Sequence, residues 1–203
     1  MIDAALIETC ADPALEVTIV ERFIAEAGSP DPLAVTVTLG DRLVLLPKPT
    51  TTDEAMALMR DHVGKAVVRV GITQYPAGLG ISDISELDAD LVDACANIRM
   101  GTALFGKVYR IVTKWYGNAV DEAFDDAIHA WKTGYFDGKA VFSERDPGDV
   151  EIAAPTEDNS SQVGEDDIAP DSVEPVRGQA ASADDPNQAG MRIDLSGIGG
   201  RAP

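Results

Sequence analysis

The 203-residue chain has two cysteines, two histidines and few aromatic residues, 5% of the total, and each scarcity removes a class of function. His62 and His129 stand in no metal-ligand spacing with a cysteine or a carboxylate, so no metal site is expected. The two cysteines, Cys10 and Cys95, form no CxxC pair, and there is no GxSxG, no Walker A and no GxGxxG after a strand. Nucleophilic, metal and nucleotide chemistry are therefore set aside, and no cofactor is implied. Long apolar runs are missing too, so no membrane insertion is expected. Positive charge is scarce: 16 Lys and Arg stand against 35 Asp and Glu, a net charge of -19. That balance argues against non-specific nucleic-acid binding and against attraction to anionic membranes. The N-terminus shows neither a basic n-region nor a long apolar h-region, and so reads as cytoplasmic. Two free buried thiols are the default there, whereas one long-range disulfide would suit an oxidising compartment.

What is present is unevenly placed. Nearly all large apolar residues lie in 1–142, and from Ser143 onward there is no aromatic residue, with 14 Asp and Glu against 4 Arg. A core can form only in the first part, so the chain reads as one domain over 1–142 followed by an acidic tail over 143–203. Residues 143–188 lack any sustained period and read as disordered. The terminal MRIDLSGIGGRAP, 191–203, regains some Leu and Ile among glycines and reads either as a flexible end or as a short docking motif.

Within the domain the pattern is mainly helical with a small β-hairpin region, an α+β class. Ile2 to Cys10 reads as a short helix, and Ala14 to Ala27 as an amphipathic one closed by Gly28. Ala34 to Thr38 and Arg42 to Leu46 flank Leu39-Gly40-Asp41 as a hairpin. Thr51 and Glu54 have the spacing of a capping box, with Met56 and Met59 as core filling behind them. Ala66 to Val70 is β-prone, and Gly71 to Gly80 is a shaped loop. Leu87 to Asp93 reads as a helical turn. Asn97 is placed to cap a long helix through Trp115, and Val120 to Trp131 marks a last helix ending near Gly134.

One carboxylate stands out. At 3.6 residues per turn, Glu26 falls within the arc of Leu15, Ile19 and Phe23, so it points where that apolar stripe points. At the edge of a core, desolvation and the negative end of the helix dipole would both raise its pKa, as a general acid requires. The plainer alternative is that the stripe has run out and Glu26 returns to water.

Five segments then occur in order: Cys10-Ala11, EAGSPDPLAV (Glu26 to Val35), VGITQYP (Val70 to Pro76), DACANIRMG (Asp93 to Gly101) and AWKTGYF (Ala130 to Phe136). Together they resemble the small lytic transglycosylases that accompany type IV secretion and conjugation machines. Those carry Cys-Ala, E-S-G-x-N-P-x-A-I, G-L-M-Q-I-N, D-P-C-x-N-I-R-x-G and A-Y-N-T-G-N-F. The AGSPDPLAV run, Pro47 to Thr50 and Lys114 to Asn118 are more similar still to the TraH proteins encoded with plasmid conjugal transfer genes. The resemblance implies a lysozyme-like fold over about Ala5 to Phe142.

It also implies a chemistry. Glu26 would protonate the glycosidic oxygen between N-acetylmuramic acid and N-acetylglucosamine, then deprotonate the muramic C6 hydroxyl to close an anhydro ring. Gln74 and Trp131 would position the sugar, with Tyr75 and Lys132 in the same substrate site. A Lys132 ammonium within a few ångströms would lower the pKa of Glu26 and oppose its acid role. Cys10 and Cys95 fall where the secreted relatives have cysteines that can pair. The implied partners are peptidoglycan strands and components of the conjugation or type IV secretion apparatus, and action on peptidoglycan would place the protein in the periplasm. The chain carries one residue more between Glu26 and Pro32 than the transglycosylase motif. Aligned without a gap, Ala27 takes the acid's position, whereas the helical wheel favours Glu26. The alternative to an enzyme is a non-catalytic interaction protein of the same apparatus.

Overall fold

The structure, a computed structural model, describes residues 2–40 and 42–154. The proposed docking motif at 191–203, and the tail from 155 onward, lie outside the described residues. The first helix, α1 (Ala4–Cys10), starts where the Asp3 carboxylate accepts the Ala5 N–H at 3.0 Å. It leads into α2 (Val17–Ala27), then β1 (Val35–Leu39), β2 (Arg42–Val44) and α3 (Thr52–His62). β3 (Val67–Val70), β4 (Tyr75–Pro76) and two short 3-10 turns, Ile84–Glu86 and Ala89–Leu91, precede the long α4 (Ala94–Tyr116). The last elements are α5 (Asp121–Thr133), β5 (Tyr135–Phe136) and β6 (Lys139–Ala140).

The mixed α+β class is as the pattern indicates, but the sheet is larger than a hairpin. β1 pairs with β2 and, on its other side, with β3, which pairs with β4, all antiparallel in the order β2-β1-β3-β4. Two apolar clusters result. In one, Phe23, Phe105, Phe124 and Trp131 from α2, α4 and α5 pack together, with the Phe23 and Phe105 rings stacked at 4.0 Å. In the other, Val37, Val68 and Val70 of the sheet meet Met56 and Met59 of α3, so both methionines are core filling. Full burial of each such side chain contributes about 1.5–3 kcal/mol.

Local signals explain most boundaries. The Thr51 hydroxyl accepts the Glu54 N–H at 3.2 Å, as a capping box requires, while the Glu54 carboxylate reaches back one residue further, to the Thr50 N–H at 2.7 Å. Asn97 is not the cap of α4. Asp93 takes that role, accepting the Ala96 N–H at 2.8 Å, and Asn97 is buried one turn inside the helix. Cys10, ending α1, and Cys95, in the first turn of α4, are joined by a disulfide.

Residues 143–154, expected to lack structure, form no helix or strand but lie along α4. Arg110 Nε donates to Asp146 at 2.9 Å, and Tyr109 donates its hydroxyl to the Ala153 carbonyl at 2.7 Å. Burial pushes the Tyr109 phenol up to about 12, so that donor persists across ordinary pH. The Arg110 guanidinium holds the Asp146 carboxyl below the usual range. A carboxyl depressed in the folded state stabilises it above the unfolded value of about 4, and that stabilisation is lost as pH falls through the folded value. Hydrogen-exchange protection of residues 145–153 is therefore expected to persist at neutral pH and to fall below about pH 4. Asp146→Asn should reproduce the loss at neutral pH; unchanged protection in that variant would show that the pair does not hold the segment.

Candidate functional site

The two clusters meet at the turn between β3 and β4, and this joint carries most residues singled out in the sequence. Gly71 enters it with φ 71, and a Cβ there would collide with the Asn97 side chain. The Gly71 N–H donates to the Ala34 carbonyl at 2.9 Å. Thr73, fully buried, rests against Gly101 of α4, where any side chain would strike its hydroxyl.

Asn97 ties the turn down. Its Oδ1 accepts the Thr73 N–H and the Thr73 hydroxyl, both at 2.9 Å, while Nδ2 donates to the carbonyls of Leu91 at 2.8 Å and Val70 at 3.1 Å. The asparagine and glycine of DACANIRMG, one helical turn apart, thus form a socket for the turn. Gln74 follows in the left-handed region, φ 52, a strained position for a residue with a side chain. Its amide is used internally, Nε2 donating to the Gly71 carbonyl at 2.9 Å.

Arg69 bolts the sheet to the helices. Its guanidinium donates to the carbonyls of Trp131 at 2.6 Å, Lys132 at 3.1 Å and Gln74 at 3.4 Å. It also lies over the rings of Phe142 and Trp131, 5.2 and 5.7 Å from their centroids. Burial lowers its pKa to about 10, so it stays a cation at neutral pH. Among the described residues no carboxylate pairs with it; the carbonyls at the end of α5, the negative end of that helix, compensate the charge.

Gln74, Trp131 and Lys132 are thereby brought together, but not as a sugar site requires. Trp131 is only 1% exposed, its indole N–H donating to the Thr73 carbonyl at 3.1 Å. Phe23, Phe105 and Phe142 all meet its ring edge to face, so it has no free face for a substrate. Lys132 is exposed and contributes its carbonyl, not its ammonium, to the joint. Tyr75 is half-buried against both clusters, with its phenol pushed up by burial. It lines a shallow groove of about 220 Å³ with Leu79, Ile81, Met100, Glu86 and Asp90, and Glu26 is not part of that lining.

The end of α2 does approach the turn. The Ser29 N–H donates to the Ile72 carbonyl at 2.8 Å, and a Cβ on Gly28 would come within 2.5 Å of the same oxygen. Glu26, however, is turned away. Its side chain is 36% exposed and pairs with Arg22 at 2.9 Å, an i,i+4 bridge on the outer side of the helix. Arg22 Nη2 also lies 3.9 Å from Asp125 of α5.

The expectation of an acid at the core's edge therefore does not hold, and the reason lies in the wheel. Leu15, Ile19 and Phe23 mark only part of the stripe, because α2 begins only at Val17 and Val20 and Ile24 are buried beside Ile19 and Phe23. With these included, the centre of the buried stripe moves by about 70° at 100° per residue. Glu26 then lies about 90° off that centre and Ala27 almost on it. Ala27 is half-buried and packs on the helical cluster. Among the described residues no group of three or more His, Cys, Asp or Glu is arranged to hold a metal ion, and no helix is long and apolar enough to cross a membrane.

The TraH_2 family profile matches residues 1–200. A curated protein of Sinorhizobium fredii, called uncharacterized protein y4dP, is 50% identical over 205 residues, covering 98% of this chain and all of that protein. No solved structure gives a significant match.

Proposed function

The chain belongs to the TraH_2 family, TraH proteins of plasmid conjugal transfer, and from that premise we propose that it serves a conjugation apparatus as a non-catalytic interaction component built on a transglycosylase-like, lysozyme-related domain. One observation carries the reading. The inward position at the end of α2, the place of the acid in the ungapped motif, is held by Ala27, while Glu26 faces solvent in an ion pair with Arg22. A glycosidase acid works from an enclosed site that faces the substrate, whereas the Glu26 carboxylate is engaged by Arg22. The buried Trp131 points the same way, since a ring enclosed in the core has become a packing element.

The catalytic reading keeps two supports: the order of the five segments, and the stitch between Gly28-Ser29 and Ile72 that brings the end of α2 beside the Gln74 turn. In that reading Glu26 is the acid and then the base, and peptidoglycan is opened for the apparatus. Incubation of the purified full chain with peptidoglycan separates the two. The expected result is no release of anhydro-muropeptides by the native protein. Release that disappears in Glu26→Gln would overturn the non-catalytic reading. Ala27→Glu, which restores a carboxylate at the inward position, is the companion variant: a gain of release would identify Ala27 as the replaced acid.

A further inference from the structure

We propose that the groove beside Trp115 is a binding site for an uncharged glycan chain, taken up by stacking of a pyranose ring on the exposed indole. The groove, about 360 Å³, lies between the end of α4 and residues 136–147. It shares no lining residue with the end of α2 or the Gln74 turn, so it does not rest on the reading given above.

Trp115 is 60% exposed. Left in water, an indole forgoes the burial of a large apolar surface, yet this one is held still. It meets Phe136 edge to face at 5.6 Å and Tyr116 likewise at 5.1 Å. Tyr116 is itself fixed, donating its hydroxyl to Asp126 at 2.8 Å. Phe136 stands on the β5–β6 hairpin, whose two-residue turn, Asp137-Gly138, has positive φ at both positions, 49 and 73, as a type I′ turn requires. The segment that follows the hairpin is tied to α4 by Lys107, whose ammonium donates to the Phe142 carbonyl at 2.9 Å. The ring is thus preset in orientation, and little side-chain freedom remains to be lost when a ligand stacks on it.

The rim decides the ligand class. Three cations, Lys114, Lys139 and Arg145, share the lining with the carboxylates Asp137 and Glu144, a third carboxylate, Asp146, being held by Arg110; charge is near balance here in a chain whose net charge is -19. A nucleic acid or another polyanion would meet the carboxylates, and a basic peptide would meet the cations. A polyhydroxyl ligand has use for both, because each hydroxyl donates to a carboxylate and accepts from an ammonium or guanidinium. An exposed ring face with donors and acceptors of balanced charge around it is what an uncharged pyranose needs.

The chain has only two tryptophans, and the second, Trp131, is buried, so the acrylamide-quenchable part of the emission reports on Trp115. Titration of the full chain with the N-acetylglucosamine tetramer is expected to give a saturable blue shift and protection from acrylamide quenching. By calorimetry, Trp115→Ala should weaken binding at least tenfold, and Trp115→Phe, which keeps a stacking ring, should weaken it less. No saturable response at millimolar tetramer would overturn the proposal, and so would binding that persists in Trp115→Ala. Lys139→Ala, at an exposed rim position, is expected to lose several-fold without touching the aromatic contacts. Loss of a conjugation protein's binding in Trp115→Ala without any glycan response would assign the face to a protein instead and overturn the glycan site.

Discussion

Replacing Asn97 by alanine is expected to destabilise the protein by about 3–5 kcal/mol, because the change strands several buried groups at once. The Thr73 N–H loses its acceptor and the carbonyls of Val70 and Leu91 lose a donor. Each buried group left without a partner costs about 1–3 kcal/mol, the lower figure applying to carbonyls that keep a second lone pair. The comparison is Thr73→Val, which removes a single hydroxyl and should cost about 1 kcal/mol. Urea unfolding should show a lower midpoint for Asn97→Ala with an unchanged slope, the sign of lost stability without a change in surface exposed. A midpoint equal to that of Thr73→Val would show that the socket is not the fastening of the two clusters. Gly101→Ala tests the same fastening from the other side. Alanine favours the helix by about 1 kcal/mol, yet its methyl would strike the Thr73 hydroxyl, so a net loss is expected.

The socket also shows how far the sequence could be read. The helices and the first hairpin follow from periodicity and turn residues, and the capping box at Thr51 was legible from spacing alone. From the sequence Asn97 reads as a cap, since an asparagine near a helix start fits a cap as well as a socket. What distinguishes them is whether a second segment arrives to use the side chain, and that is a tertiary fact. The facing of α2 turns on a signal that was there to use: Leu15, Ile19 and Phe23 mark only part of its stripe, and Val20 and Ile24, an apolar i,i+4 pair, carry the rest into the helical cluster. The β5–β6 hairpin had a usable signal, Asp137-Gly138 between Tyr-Phe and Lys-Ala, which is a strong two-residue turn. It is short, and the end of the preceding helix at Gly134 masked it. Arg69 had no signal at all: one cation in VVRV is ordinary on a strand, and only the end of α5 makes it a bolt.

The other large effect is expected at the disulfide. Cys10 and Cys95 are 85 residues apart in sequence, and closing a loop of that length removes freedom from the unfolded chain worth about 4–5 kcal/mol. Set against a typical domain stability of about 5–15 kcal/mol, the bond separates a sturdy protein from a marginal one. Cys10 is only 2% exposed, so a reductant added to the folded protein reaches it slowly, and the Cys10→Ser/Cys95→Ser double variant is the cleaner comparison. Its melting temperature should fall by roughly 10–20 °C. A fall of a degree or two would mean that the cross-link contributes almost nothing. The same bond bears on where the protein works. Thiols in a reducing compartment stay reduced, so alkylation of the chain directly from cells is expected to find both cysteines blocked if the protein acts where peptidoglycan is accessible. Two reactive thiols would place its working form among cytoplasmic partners, and would leave α1 held to α4 by packing alone.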